Sequence, residues 1–317
     1  MIVQNNILFI FEKNNLLMNI KIGVMASEFY KTFFRKTLNK MKYTELLKAI
    51  KHVVKVLHNL DINCYEFCIN DSNSMSKLLK VLERIGEVNT SIQFHDMLNS
   101  IKLAYKDVEE RQKAFEDLIK MIEIAHDYDI TILTIHPAYY KPSFKDYIYS
   151  PHAEKSLEYN KGYSIMIDLL KKLSNYANKK GVTLALENME SYIIKGNKIF
   201  RSTHYGCTKS EILDILKRVN NNSLKITFDI GHANLTYEKP INFCKGIVHL
   251  IVNIHIHDNN GQMDEHKPIG LGNIDFESVF KTLINEGYNG SIIIERGYDK
   301  YIIEDIKKIK KFLKLVL

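Results

Sequence analysis

Histidine and acidic residues recur in this sequence directly after short apolar runs. They end six predicted strands or follow them in the loops, and they are His95, His136, Glu187, Asp229, His232, His255, His257, Asp264, His266 and Glu295. A buried strand that ends in a charged group costs free energy unless that group is paired or binds a metal ion. Imidazole and carboxylate ligands together suit Zn²⁺, Mn²⁺, Co²⁺ or Fe²⁺. The absence of cysteine from this set of residues argues against a structural zinc site. The pattern therefore predicts a divalent-metal site.

Each member of the series also has an ordinary alternative role, because a lone histidine at a strand end is more often a hydrogen-bonded core residue than a ligand. The prediction therefore depends on several successive strands ending in this way. His257 shares strand parity with His255, so both side chains are expected on one face. We interpret His257 as substrate-binding or as a support for a ligand, with a structural role equally open, and we expect Asp258 to orient an imidazole.

These residues are positioned by an alternation of apolar, β-rich runs with longer amphipathic segments, which is typical of repeated βα units. Strands are predicted at residues 20–25, 64–69, 90–94, 130–135, 182–186, 224–228, 251–256 and 291–294. Helices are predicted at residues 44–59, 74–85, 108–127, 156–180, 209–220, 276–286 and 304–316. Nearly continuous apolar strands such as TILTI indicate burial on both faces, as in a parallel sheet.

Eight strands with intervening helices and no long linker predict an α/β fold, a single (β/α)8 TIM barrel of parallel strands with its active site at the C-terminal face. A doubly wound open sheet is the rival fold. It usually carries a glycine-rich phosphate loop after the first strand, where this chain reads MASEFYK, and neither GxGxxG nor GxxxxGK[ST] occurs. We expect the barrel to span residues 18–317, and residues 1–17 to be an N-terminal extension or a misassigned start ahead of Met18.

Composition narrows the class of protein. The 317 residues are 45% hydrophobic and 26% charged, which is typical of a globular chain, and the net charge is +7. This excess of positive charge is compatible with nucleic acid or phosphorylated ligands, although much of it comes from lysines in predicted helices. The four cysteines form no CxxC pair, and no apolar run reaches transmembrane length. We therefore expect reduced thiols, a cytoplasmic location and no membrane partner, and a homo-oligomer stays open.

Four motifs resemble those of the xylose-isomerase-like barrel superfamily, namely FDIGHAN, HIHDN, DEHKPIGLGNIDF and IIIER. That superfamily includes sugar (phosphate) isomerases and epimerases and the AP endonuclease family 2 enzymes, and the resemblance extends from Ile20 onward. It implies that the metal core of the isomerases and epimerases corresponds to Glu187, Asp229, His255 and Glu295. In the endonuclease branch a larger cluster binds up to three zinc ions, and its further ligands correspond to His95, His136, His232, Asp264 and His266.

The resemblance implies a metal-dependent isomerase or epimerase that acts on a small sugar, sugar phosphate or related polyol. One to three ions are expected, Zn²⁺ or Mn²⁺ with Mg²⁺ or Co²⁺ as alternatives, to stabilise a developing enediolate. Glu187 and Glu295 are the predicted catalytic residues, one removing a proton α to the carbonyl and the other returning it. Two long loops, residues 137–153 and 188–208, offer Lys141 and Arg201 as substrate-binding residues that could contact a phosphate, and solvated surface charge is the alternative for both.

The alternative function is a zinc-dependent phosphodiesterase of the AP endonuclease type with DNA as its partner. All the implied endonuclease ligands are present in the sequence. Three loops, however, depart from that branch: PAYYKPSF follows His136, NMESYIIKGN follows Glu187 and ANLTYEK follows His232. Because these loops would face DNA, their departure counts against duplex binding. A related barrel with other chemistry, such as a dehydratase, an oxygen-using lyase or a non-catalytic binder, also stays open.

Overall fold

Eight parallel strands close into a barrel. The computed structural model describes residues 20–34, 41–62, 64–87 and 91–315, so the expectation for residues 1–17 lies outside the described residues. The barrel strands are β1 (Lys21–Met25), β2 (Cys64–Ile69), β3 (Ser91–Asp96), β4 (Ile132–Ile135), β5 (Thr183–Glu187), β8 (Leu224–Asp229), β9 (Ile251–Ile256) and β10 (Ser291–Ile294). Around the barrel they are hydrogen-bonded in the order β1, β10, β9, β8, β5, β4, β3, β2. The predicted α/β TIM barrel is confirmed.

The carboxyl ends of the predicted and observed strands agree within two residues. Strand pairing extends through β3 as far as Asp96, one residue past His95, and through β5 and β8 as far as Glu187 and Asp229. Strand pairing therefore fixes the backbone at His95, Glu187 and Asp229. A site built on strand residues is positioned more rigidly than one built on loops.

Helices follow the strands and cover the outside of the barrel. They are α1 (Ala26–Phe34), α2 (Tyr43–Asn59), α3 (Ser72–Arg84), α4 (Val108–Asp127), α5 (Pro151–Lys155), α6 (Tyr159–Lys180), α7 (Lys209–Val219), α8 (Ile230–Ala233), α9 (Pro240–Cys244), α10 (Phe276–Asn285) and α11 (Ile302–Lys314). Local signals explain where several begin: Asp71 accepts a hydrogen bond from the Ser74 amide, and Thr208 with Glu211 forms a capping box at α7. In the described chain no helix is both long and apolar enough to cross a bilayer.

The long loop after β5 contains a hairpin that was not predicted. Its strands are β6 (Tyr192–Lys195) and β7 (Lys198–Arg201), which pair antiparallel around a turn at Gly196, where φ is +60°. The sequence signal was the Gly-Asn pair between two alternating apolar runs. The amide of Ile194 donates to the Gln262 carbonyl in the loop after β9, so the hairpin is attached to the rim of the barrel mouth.

Polar side chains fill much of the barrel interior, whereas the main apolar core lies between the strands and the helices. Thr134 and Thr227 hydrogen-bond across the interior at 3.0 Å, and Asn253 donates to Glu66 at 2.8 Å. Met25, Cys64 and Ile293 form a small apolar cluster that is separate from the main core. The barrel thus has a polar layer directly beneath its C-terminal mouth. The four cysteines are free thiols.

Candidate metal centre

Four of the predicted ligands meet at the mouth of the barrel. Glu187 ends β5, Asp229 ends β8, His255 lies in β9, and Glu295 follows β10. One donor atom from each lies within 4.8 Å of the other three. Glu187, Asp229 and His255 are buried, and the side chain of Glu295 is 14% exposed. Strands that are distant in sequence thus bring three carboxylates and one imidazole to a common point.

The orientation of His255 is set by a residue that sequence reasoning missed. Its Nε2 lies 2.7 Å from Oε1 of the fully buried Glu66, to which it donates its proton. Its Nδ1 lies 3.2 Å from Glu187 Oε1 and 3.3 Å from Glu295 Oε2. A hydrogen bond at one ring nitrogen determines which nitrogen is left to bind a metal, so Nδ1 is the available ligand atom. The available signal was a charged residue inside the otherwise apolar strand CYEFCI.

A second group of donors shares Glu187 with the first. His95 and His136 face each other with their Nε2 atoms 2.8 Å apart, and these atoms lie 3.0 and 3.2 Å from Glu187 Oε2. The other carboxylate oxygen of Glu187 faces His255, as described above. The two oxygens of Glu187 therefore point to two different groups of ligands, which is the arrangement of a carboxylate that can bridge two cations.

A third group lies on the far side of Asp229. The Nδ1 atoms of His232 and His266 each donate to a backbone carbonyl, that of Asn188 at 3.0 Å and that of Glu295 at 2.6 Å. Their Nε2 atoms lie 3.5 and 2.8 Å from Asp264 Oδ2. Backbone carbonyls therefore set both tautomers and leave Nε2 toward the cluster.

His257 lies between the first and third groups. Its Nε2 is 3.3 Å from Asp229 Oδ1 and 3.5 Å from Asp264 Oδ1, and neither ring nitrogen makes a hydrogen bond. It is fully buried, and the imidazole packs against Gly231 so closely that a Cβ there would lie 1.9 Å from the ring. His257 can therefore serve as a ligand or as a support for one.

Unsatisfied donors and acceptors show that the cluster suits a cation. Buried oxygens of four carboxylates make no hydrogen bond, namely Glu187 Oε2, Asp229 Oδ2, Asp264 Oδ1 and Glu295 Oε2. Buried polar atoms are normally paired, and unpaired anionic oxygens are costly. Carboxylate and imidazole donors converging without thiolates match the preferences of Zn²⁺ or Mn²⁺. The residues present thus fit the divalent ion that the sequence predicted.

Charge coupling within the cluster is strong. Burial lowers the pKa values of His95 and His255, but the carboxylates facing them outweigh this effect and hold both pKa values well above the ordinary range. Burial likewise opposes the ionised form of Glu187, yet the two imidazoles hold its pKa well below the usual value. Asp264 raises the pKa of His266 to about 10 despite its burial. The carboxylates therefore stabilise positive charge next to them. Without a metal ion this charge comes from protonated imidazoles, and a bound cation would take their place.

Asp258 has a structural position rather than the predicted contact with an imidazole. Its carboxylate is fully buried and accepts hydrogen bonds from four backbone amides, those of Asn259, Gly270, Gly272 and Ile274, at 2.8–3.3 Å. Three of these amides, those of Gly270, Gly272 and Ile274, belong to the segment that follows Asp264 and His266. Asp258 thus holds the loop that carries two of the candidate ligands.

The two loop cations predicted to bind substrate, Lys141 and Arg201, have other surroundings in the structure. Lys141 is exposed and lines a separate cavity with Pro142 and Tyr159. The guanidinium of Arg201 stacks 4.5 Å from the ring centre of Phe144. Neither lines the cavity that contains Glu295 and His266.

A cavity of about 530 Å³ opens directly beside the cluster. Glu295 and His266 line it together with residues of α1, with Cys68 of β2, and with residues that follow β3 and β10. This volume is in the range of small-molecule sites. The arrangement can place a small molecule against Glu295.

Known proteins similar to this chain share its fold and include sugar-active enzymes. The family model described as xylose isomerase-like TIM barrel matches residues 54–315. An uncharacterized protein of Methanocaldococcus jannaschii is 29% identical over 82% of each chain. Inosose dehydratase of Clostridium botulinum is 26% identical over 64% of this chain and 78% of the relative. L-ribulose-5-phosphate 3-epimerase of Salmonella paratyphi C is 26% identical over 61% of this chain and 59% of the relative.

Solved structures agree on the architecture. A D-tagatose 3-epimerase-like protein superimposes with a TM-score of 0.67 over 93% of this chain and 98% of that chain, at 24% identity. At this identity the likeness shows the fold alone.

Proposed function

Because the chain belongs to the xylose isomerase-like TIM barrel family, we propose that it is a divalent-metal-dependent isomerase or epimerase of a small sugar, sugar phosphate or related polyol. The observation that carries the proposal is the convergence of Glu187, Asp229, His255 and Glu295 beside a cavity of small-molecule size. The relatives named for inosose and L-ribulose 5-phosphate support the substrate class.

The donor set favours Zn²⁺ or Mn²⁺, with Mg²⁺ or Co²⁺ as alternatives. A divalent ion held by these four residues would supply Lewis-acid stabilisation of the negative charge that develops on the substrate oxygens. The protein would orient the residues that hold the ion, and Glu66 orients His255 by accepting the hydrogen bond from its Nε2.

Glu295 is the better placed of the two proposed proton-transfer residues. Its side chain is 14% exposed and lines the cavity, whereas that of Glu187 is 1% exposed among imidazoles. We assign to Glu295 the proton transfer at the carbon next to the substrate carbonyl on the cavity side. Glu187 comes from β5, three positions around the barrel from β10, and would serve the opposite face of the substrate.

Exchange of carbon-bound hydrogen tests this proposal. The protein, loaded with Mn²⁺ or Zn²⁺, is incubated in D₂O with a panel of keto- and aldo-sugars and inososes, and deuterium at the carbon next to the carbonyl is followed by NMR. We expect exchange with at least one member, and its loss in both Glu295→Gln and Glu187→Gln. Glu109→Gln, an exposed change on α4, is the matched control and should exchange normally. Full exchange by Glu295→Gln would refute the assignment of that residue.

A second candidate function is phosphodiester hydrolysis of the AP endonuclease type. The observation that favours it is the position of Glu187, whose two oxygens face two groups of ligands as a bridging carboxylate would. Clustered metal ions are typical of phosphodiester-cleaving sites. Two or three zinc ions per chain together with cleavage of abasic-site DNA would favour this function, whereas one ion per chain and sugar turnover would favour the first.

A further inference from the structure

The imidazole of His257 is fully buried, and neither of its nitrogens has a hydrogen-bond partner. Leaving a buried polar atom unpaired costs free energy, so such an atom calls for an explanation. Its Nε2 faces two carboxylates, at 3.3 Å from Asp229 Oδ1 and 3.5 Å from Asp264 Oδ1. Charge-assisted hydrogen bonds between such groups are shorter, about 2.7–2.9 Å. The three side chains are therefore gathered around a common point without bonding one another.

The separations between these atoms match those between ligands of one shared ion. In a tetrahedral Zn²⁺ site with bonds of about 2.0–2.1 Å, neighbouring ligand atoms lie about 3.3–3.4 Å apart. His232 extends the set, because its Nε2 lies 3.5 Å from Asp264 Oδ2. One donor atom of His232 also lies within 4.8 Å of one from Asp229 and one from His257. Two imidazoles and two carboxylates thus supply four donors.

His266 lies beside this set of donors and not within it. Its ring stacks on that of His257, with 4.0 Å between the ring centres and 14° between the ring planes. An imidazole nitrogen binds a metal through a lone pair that lies in the plane of the ring. Two stacked and nearly parallel rings therefore cannot both direct a lone pair at one ion. The Nε2 of His266 instead bonds Asp264 Oδ2 at 2.8 Å and so positions this carboxylate.

A glycine makes room for His257 next to two of the other donors. Gly231 lies in α8 between Asp229 and His232, and Asp229 Oδ1 accepts a hydrogen bond from the His232 amide at 2.6 Å. A Cβ at Gly231 would lie 1.9 Å from Cε1 and 2.4 Å from Nε2 of His257. Any side chain at this position would therefore displace the imidazole. The local sequence of α8 is thus suited to bring His257 between Asp229 and His232.

From these contacts we infer that His257 is a metal ligand and completes a second cation site. The four donors of this site come from Asp229, His232, His257 and Asp264. Mixed nitrogen and oxygen donors suit Zn²⁺, and four protein ligands leave no open position, which is typical of a structural ion. This ion would fasten the loop that carries Asp264 to the ends of β8 and β9.

The inference goes beyond the proposed reaction, because the first cation site keeps its own ligands and shares only Asp229 with the second. A second ion per chain is compatible with sugar turnover as well as with DNA cleavage. The substrate, and not the ion count alone, then distinguishes the two candidate functions.

Removal of one imidazole at a time tests the assignment. Metal-free protein is titrated with Zn²⁺ against a chromophoric chelator, and bound zinc is counted by mass spectrometry. We expect at least two ions per chain, with the affinity for one of them lowered by more than about 100-fold in His257→Gln. His266→Gln should lower it by only about 10- to 100-fold, the range for residues that orient a ligand. His126→Gln, an exposed change on α4, is the control and should bind zinc as the wild-type protein does. Unchanged binding in His257→Gln, or a greater loss in His266→Gln, would overturn the inference and leave the proposed function intact.

Anomalous X-ray scattering from crystals of the zinc-loaded wild-type protein tests the site without a variant that could misfold. Data collected at the zinc absorption edge should show an ion at bonding distance, about 2.0–2.1 Å, from Nε2 of both His232 and His257. An ion bound by His266 in place of His257 would overturn the inference. So would the lack of any ion next to His257 in protein that holds zinc at the first site.

Discussion

His255 donates its Nε2 proton to Glu66, with 2.7 Å between the two atoms, at the base of the cluster. The second oxygen of Glu66 accepts from Asn253 at 2.8 Å, so the carboxylate is held from both sides. Because both residues are fully buried, water cannot replace this bond. The pair determines which nitrogen of His255 faces Glu187 and Glu295.

Replacing Glu66 should weaken metal binding. In Glu66→Gln the amide can accept from His255 only by turning its NH₂ toward Asn253, which is itself a donor there. We expect the metal affinity to fall by about 10- to 100-fold, the range typical of residues that orient metal ligands. Competition with a chromophoric chelator measures the affinity. Glu109→Gln is the control, and an unchanged affinity in Glu66→Gln would show that the contact does not orient His255.

Metal binding should release protons and should weaken at low pH. In the metal-free protein the pKa values of His95, His232 and His255 are raised well above the ordinary range, and that of His266 is raised to about 10. At pH 7, which lies below these raised pKa values, the imidazoles hold protons that a cation has to displace. Lowering the pH therefore favours the protonated, metal-free form.

A pH indicator in weak buffer detects the released protons during titration with Zn²⁺ or Mn²⁺. The apparent affinity should rise steadily between pH 6 and pH 8. Binding without proton release, or with an affinity that is independent of pH, would show that the imidazoles are not the ligands.

Loss of the Asp258 carboxylate should destabilise the loop that carries Asp264 and His266. Asp258→Ala leaves the backbone amides of Asn259, Gly270, Gly272 and Ile274 without the acceptor that they share. We expect the free energy of unfolding to fall by about 3 kcal/mol or more, because bonds to charged acceptors are strong and unpaired buried donors are costly. Urea denaturation measures this loss, and Asp275→Ala, which removes a helix cap near the surface, should cost about 1 kcal/mol.

Asp258→Asn retains one acceptor oxygen and should lose less stability than Asp258→Ala. Both variants should bind fewer ions or bind them less tightly, since two candidate ligands depend on this loop. A loss below about 1 kcal/mol in Asp258→Ala would contradict the role assigned to the carboxylate.

The order of elements, and the strand ends that carry the candidate ligands, could be predicted from the sequence. Apolar runs alternate with amphipathic segments, and strands such as TILTI are buried on both faces, which leaves few folds besides a parallel barrel. Once the strands are parallel and closed, their carboxyl ends must converge. For this reason the meeting of Glu187, Asp229, His255 and Glu295 was predictable from residues spread over more than a hundred positions.

Only the tertiary structure decided how the side chains pair within the mouth. Glu66 lies in the middle of β2, where periodicity indicates only that it faces the interior, and its contact with His255 depends on barrel closure between β2 and β9. The hydrogen bonds of Asp258 likewise depend on how a loop folds back on itself, since they reach as far as the Gly270 amide. The ion pair of Arg296 with Asp305 joins the turn after β10 to helix α11. Backbone periodicity is a local property, so residue type and spacing are enough to predict which groups reach the barrel mouth. The hydrogen-bond partner of each atom depends on distances and rotamers, and these are set only by the packing of the whole fold.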